Sequence, residues 1–185
     1  MKRFNTKALL CAFMLLFVLS FTKVSAQGIN ADTIKAQLIK EWQRSKAYTF
    51  AYLNTMPAGK YKFKAVDSIR SFAQQMLHLA AGNFFLMGKA TGQESPTGGM
   101  VSEERPSAQT KDSVMYYVGA SYDFAIDAVT KLDAAKLGES IQGFNGSISR
   151  LIFIMKGIEH QAHHRGQTTI YIRLQGIRPP NEQLF

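Results

Sequence analysis

Apolar residues recur every three or four positions through four long stretches of this chain. That spacing sets an apolar stripe along one face of a helix. Few stretches alternate apolar and polar residues, so the sequence offers little from which to build a sheet. The first helix is expected from Asp32, a good N-cap, to Asn54, with Ile34, Leu38, Trp42, Thr49 and Leu53 near one face. "TMPAGKYKF" ends it with Pro57 and Gly59. The second starts near Ser68 or Ser71 and reaches Met87. The third covers Lys111 to Leu132, with Val114, Val118, Tyr122, Ala125 and Val129 in register. The fourth runs from about Ser147 to Leu174, where Pro179 and Pro180 forbid continuation. The start of the fourth is blurred by Gly138, Gly143 and Gly146 in "LGESIQGFNGSIS". Four helices without repeats or βαβ alternation predict an all-α fold, a four-helix bundle. "GKATGQESPTGGMVSEERPSAQT" is a long loop between the second and third helices, which suggests a crossover rather than a tight hairpin.

The first 26 residues stand apart from that pattern. Lys2, Arg3 and Lys7 precede an apolar run from Ala8 to Phe21, and "VSA" precedes Gln27. A basic start, a short apolar run and small residues before the junction make a cleaved secretory signal peptide. The run is shorter than the roughly 20 residues that span a bilayer, so no stable membrane insertion is expected after cleavage. The expected division is 1–26 signal peptide and 27–185 bundle, exported to the periplasm. Cleavage removes four of the 22 basic residues (Lys2, Arg3, Lys7, Lys23) and none of the 13 acids, so the net charge falls from +9 to +5. The remaining basic residues are scattered, apart from "KYKFK" at Lys60–Lys64, which reads as a solvated loop. An exported chain with so little basic clustering is not expected to bind nucleic acid. Cys11 is the only cysteine and leaves with the signal, so a metal site must use His, Asp or Glu.

Three of the four histidines fall in "EHQAHHRGQ" on the fourth helix. With His160 at zero, His164 lies at about 40° and His163 at about −60° on a helical wheel. Spacing alone permits a His160/His163 pair. The wheel favours His160 with His164, four apart and able to share one ion. His163 is turned away from that stripe, and Glu159 points off it. His78, on the second helix, is the candidate third ligand. Gly82 lies one turn from His78 and Gly157 about one turn from His160. Small residues there would let two helices approach closely enough to share an ion. Three neutral imidazoles with an open position form a site of catalytic type. No firm general base is evident. Tyr116, Tyr117, Tyr171 and Gln167 are candidate substrate contacts.

"HQAHHRGQTTIYIRLQGIRPP" resembles the C-terminal signature of the DinB-like (YfiT-like) metalloenzyme family: His, three residues, His-Arg-Gly-Gln, then Tyr-Ile-Arg, Gly and Pro-Pro. "KFKAVDSIRSFAQQMLHLA" resembles that family's second-helix segment, with Ala65 where the family commonly has proline. The resemblance implies a four-helix bundle, often a homodimer, that binds a divalent metal through His78, His160 and His164. It leaves Arg165, Gly166 and Gln167 as signature residues that do not ligate; Gly166 would permit close packing, and Arg165 and Gln167 would tie the helix to loops. Zinc is the first expectation for the ion, with nickel or iron also compatible. The expected function is a metal-dependent hydrolase or transferase acting on an unknown small molecule; the alternative is a non-catalytic metal-binding or ligand-binding protein. The apolar side of the fourth helix, Leu151, Ile154, Met155 and Ile158, implies either a thick bundle or a dimer interface, and a homodimer is expected.

The signal-peptide reading is tested by the mass of the exported protein. A chain beginning at Gln27 is expected; one that retains Lys2 and fractionates with membranes would contradict it.

Overall fold

A computed structural model describes residues 30–96 and 103–185. The expected signal peptide lies outside them. Among the described residues the chain forms four α-helices and one small antiparallel hairpin: α1 (Ala31–Thr55), α2 (Phe72–Thr91), α3 (Lys111–Lys131), β1 (Ser140–Gly143), β2 (Gly146–Ser149) and α4 (Arg150–Arg173). No helix among them is long and apolar enough to cross a membrane.

Local chemistry sets the helix ends. The Ser71 hydroxyl accepts from Gln74 N (3.2 Å) and Gln74 Oε1 accepts from Ser71 N (2.8 Å), a reciprocal capping box that starts α2. Gly92 ends α2 at φ 78°, a left-handed conformation that glycine adopts without a Cβ penalty. Thr110 caps α3 and Ser149 caps α4 through their side chains.

Contacts between helices give the topology. Along α2 and α4, Gln75 meets His164, Gly82 meets His160, Met87 meets Gly157, and Ala90 O accepts from Arg150 Nη1. Numbers rise on α2 as they fall on α4, so the two are antiparallel. Between α1 and α4, Ser45 meets Gln161, Thr49 meets Arg165 and Tyr52 meets Thr169; those two are parallel. Between α1 and α3, Phe50 packs on Gly119, Thr49 bonds Tyr122 and Lys111 reaches Asn54 O; those two are antiparallel. It follows that α2 and α3 run parallel. Their connection has to return along the length of the bundle, which is the crossover that the long loop predicts.

The core lies between the four helices. Trp42, Leu53, Phe72, Met76, Tyr122 and Ile154 are fully buried. The Trp42 ring meets Tyr122 edge-on, with centroids 5.9 Å apart.

Two expectations change. "SIQGFNGSIS" forms a hairpin rather than the start of the fourth helix, with Ile141 opposite Ile148 and Gly143 opposite Gly146. Phe144 and Asn145 form the turn, and Gly146 sits just after it at φ 120°, a conformation that glycine adopts readily, so the segment closes as a hairpin and not as a frayed helix. The apolar side of α4 is also divided. Ile154 belongs to the core, while Met155 and Ile152 are exposed beside a groove between α1 and α4 that Ile34, Leu38, Leu151 and Ile158 line.

Replacing Ile154 by alanine is expected to cost about 2–5 kcal/mol of stability, the usual range for a buried aliphatic truncation. Ile170→Ala, at a side chain 55% exposed on the same helix, is expected to change it by no more than about 0.5 kcal/mol. Urea unfolding followed by circular dichroism measures both; equal effects would put Ile154 on the surface.

Candidate metal centre

His78 reaches into the bundle from α2, and His160 and His164 reach it from adjacent turns of α4. One ring nitrogen from each lies within 4.8 Å of the others, close enough for the three to hold one metal ion. The ring centroids of His160 and His164 are 4.5 Å apart, those of His78 and His164 4.5 Å, and those of His78 and His160 5.4 Å. Among the described residues no fourth His, Cys, Asp or Glu joins the group. His163 lies outside it, exposed, with its Nε2 2.8 Å from Gln167 Nε2.

The approach of α2 to α4 depends on glycine. A Cβ added to Gly82 would overlap Cε1 and Nδ1 of His160, and one added to Gly157 would lie 2.6 Å from Met87 Cε and 3.2 Å from the Trp42 ring. Gly82 is therefore the recess into which the His160 ring fits. Gly166, by contrast, is exposed with open space around it and brings no close packing.

Each imidazole has a different environment. His164 Nδ1 lies 2.9 Å from Gln75 Oε1. An amide oxygen only accepts, so Nδ1 carries the proton and Nε2 is left for an ion. His160 Nδ1 is buried without a hydrogen-bond partner, a costly state for a polar atom. His78 Nδ1 lies 3.4 Å from Glu103 Oε2. Burial, and then the other histidines, push His160 down to about 4 and His164 down to about 3. Burial and the Arg70 cation lower His78, while Glu103 opposes them. All three effects favour the neutral imidazole, the form a metal requires. The donor set suits a divalent ion of the zinc type.

A polar cavity of about 570 Å³ opens beside His164; Arg70, Gln74, Gln75, Glu103, Glu104 and Gln167 are among its lining residues. Of the residues expected to touch a substrate, Gln167 is there. The three tyrosines do not line this cavity. Tyr171 is buried and donates to Arg70 O (2.6 Å), Tyr117 accepts from Arg105 Nη2 (2.8 Å), and Tyr116 is exposed on α3. Glu159 pairs with Lys156 on the surface (2.6 Å), off the site as its wheel position predicts. Arg165 does not tie α4 to a loop. It is buried, donates to Thr49 Oγ1 on α1 and to Gln161 Oε1, and stacks on Tyr48.

Gln75, Glu103 and Arg70 are parts of the site that periodicity did not reveal. The only signal for Glu103 is its place in a long loop, which carries no register that could aim a side chain.

A model of the DinB family matches residues 28–184. The chain belongs to the DinB family. Its fold is also that of solved DinB-like proteins. One from Bacillus cereus ATCC 10987 superposes with a TM-score of 0.69 at 18% identity, covering 79% of this chain and 95% of that one. A second, from Bacillus subtilis, superposes with a TM-score of 0.61 at 16% identity, covering 80% of this chain and 96% of that one. No curated protein matches the sequence. In this DinB-family chain the signature residues divide by face: His160 and His164 turn toward His78, Arg165 turns toward α1, and Gly166 faces solvent.

Gly82→Ala is expected to displace the His160 ring, and Gly166→Ala to leave it in place while adding up to about 1 kcal/mol of helix stability. Imidazole nitrogen–proton spectra of the metal-free variants, with thermal melts, measure both. An unmoved His160 resonance in Gly82→Ala would contradict the recess.

Proposed function

We propose that this DinB-family protein binds one divalent ion, zinc first, with nickel or iron compatible, through His78, His160 and His164, and that it uses the ion as a hydrolase or transferase on a small polar molecule. The observation that carries this reading is the convergence of three neutral imidazoles, without a fourth protein ligand among the described residues, beside a polar cavity. An ion held there with open positions supplies Lewis acidity for a carbonyl or phosphoryl oxygen, or for water. The chain's own residues do the rest. Gln75 orients His164, and the Gln167 amide and the Glu104 carboxylate face the cavity where a polar substrate would lie.

A non-catalytic metal-binding or ligand-binding role is the second reading, and one observation favours it. Three acids line the cavity, Asp67, Glu103 and Glu104, and two of them already hold partners, Glu103 with Arg70 and Glu104 with Gln74 Nε2 (3.1 Å), so those two are not free to act as a base. On either reading we place the protein in the periplasm after signal cleavage, without nucleic acid and without a membrane anchor. The apolar groove between α1 and α4 supports a homodimer.

Metal-to-protein ratios of reconstituted protein test the proposal. Near one ion per chain is expected for wild type and for His163→Ala, and most of it should be lost in His78→Ala, His160→Ala and His164→Ala. Retention by His164→Ala with loss in His163→Ala would overturn the ligand set, and a metal-free wild type would overturn the metal reading. Retention should also depend on pH. Protons compete for an imidazole below its own pKa, and His160 and His164 are held down to about 4 and about 3. The ion is expected to stay bound at pH 6 and to leave as the pH falls toward 4, below the ordinary histidine value of about 6.5. Half-release near 6.5 would show that burial does not protect the site.

A further inference from the structure

Glu103 stands at the start of the short run that leads into α3, far from His78 in sequence. Two groups hold it in place. Arg70 Nε and Nη2 both donate to its carboxylate at 3.1–3.2 Å, and Gln109 Nε2 donates to its backbone oxygen at 2.8 Å. Arg70 is anchored in turn, since Tyr171 of α4 donates to Arg70 O. Glu103 is thus held at its backbone by Gln109 and at its carboxylate by Arg70, and Oε2 faces His78 Nδ1 at 3.4 Å. Glu103 is not a member of the three-histidine group.

We propose that Glu103 is a positioning residue: it accepts a hydrogen bond from His78 Nδ1–H and so commits His78 to presenting Nε2 toward His160 and His164. The inference rests on the metal reading above for its purpose, though not for its geometry. A histidine that ligates a metal usually gives its other ring N–H to a carboxylate, carbonyl or water, which fixes the tautomer and the ring orientation. Gln75 does this for His164. Glu103 does it for His78 with a charged acceptor, which is the stronger kind. His160 has no such acceptor and is held by shape, in the recess at Gly82. The three imidazoles are therefore oriented in three different ways. Arg70 keeps the carboxylate in place, besides its direct electrostatic effect on His78.

Two measurements test this on the full-length mature protein. The first uses metal-free protein with nitrogen-labelled histidine, in which long-range nitrogen–proton spectra at pH 7.5 report the tautomer. His78 is expected as Nδ1–H in wild type and in Glu103→Gln, whose amide oxygen still accepts, and to shift toward Nε2–H in Glu103→Ala. A wild-type His78 that is Nε2–H overturns the proposal whatever the variants do. The second is titration with Co²⁺. Glu103→Ala should bind about 10–100-fold more weakly than wild type, and Glu103→Gln should recover part of that loss. The Glu103→Ala loss should persist on an Arg70→Met background. If it vanishes there, Glu103 only neutralises Arg70 and the positioning role is wrong. Affinity within twofold of wild type in Glu103→Ala, with the tautomer unchanged, also overturns it. If wild type takes up no Co²⁺, the metal reading fails separately, and the tautomer alone decides for or against the Glu103 contact.

Discussion

The site depends on how closely α2 and α4 approach one another. Two glycines allow it, Gly82 on α2 and Gly157 on α4, and each receives a large group from its neighbour: the imidazole of His160 and the Trp42–Met87 pair. Any side chain at Gly82 would compete with the His160 ring for the same space. Close approach brings the three imidazoles within reach of one another and removes water from them. Removal of water disfavours their charged forms, which is the first cause of the low pKa values of His160 and His164. Packing and protonation state thus have one origin.

Behind the histidines, α1 and α4 meet through a polar network. Gln161 donates to Ser45 and accepts from Tyr122 and Arg165, and Thr49 joins Tyr122 to Arg165. The partners of the buried Arg165 guanidinium are neutral, together with the face of Tyr48. Sliding α4 by one residue along α1 would leave several of these groups buried and unpaired, each at about 1–3 kcal/mol. The network therefore fixes the rotation of α4 about its own axis. That rotation points His160 and His164 at His78 and leaves His163 in solvent. Arg165, next to a ligand in sequence, acts on the site through the helix and not through the cavity.

Much of this was legible in the sequence. Helical period located all four helices, because α-helices report themselves locally at i, i+3 and i+4. Of the expected helix starts only Ser71 is a cap: α1 already begins at Ala31, ahead of Asp32, and Ser149 rather than Ser147 caps α4. Loop length anticipated the crossover, and the wheel separated His163 from its neighbours. What failed was information that is not local. The hairpin was hidden because Ile141 and Ile148 stabilise each other only after Phe144-Asn145 has turned the chain. Whether Ile154 meets the core or a second copy stayed open, because a wheel cannot say which neighbour a stripe will meet. Tyr116, Tyr117 and Tyr171 attracted attention by their chemistry, whereas the groups that shape the mouth, Glu103 and Gln75, are set by a loop and by helix-to-helix geometry. Gly166 carries a family signature without the close packing that the resemblance implied.

The central claim is that three imidazoles from two antiparallel helices converge on one ion. X-ray absorption at the zinc edge of the reconstituted protein tests it most directly, combined with anomalous scattering to place the ion. The account predicts three nitrogen ligands at about 2.0–2.1 Å, the usual Zn–N distance for histidine, with the ion lying between His78, His160 and His164. An ion on the surface beside His163, or a shell made mainly of carboxylate oxygens, would contradict it.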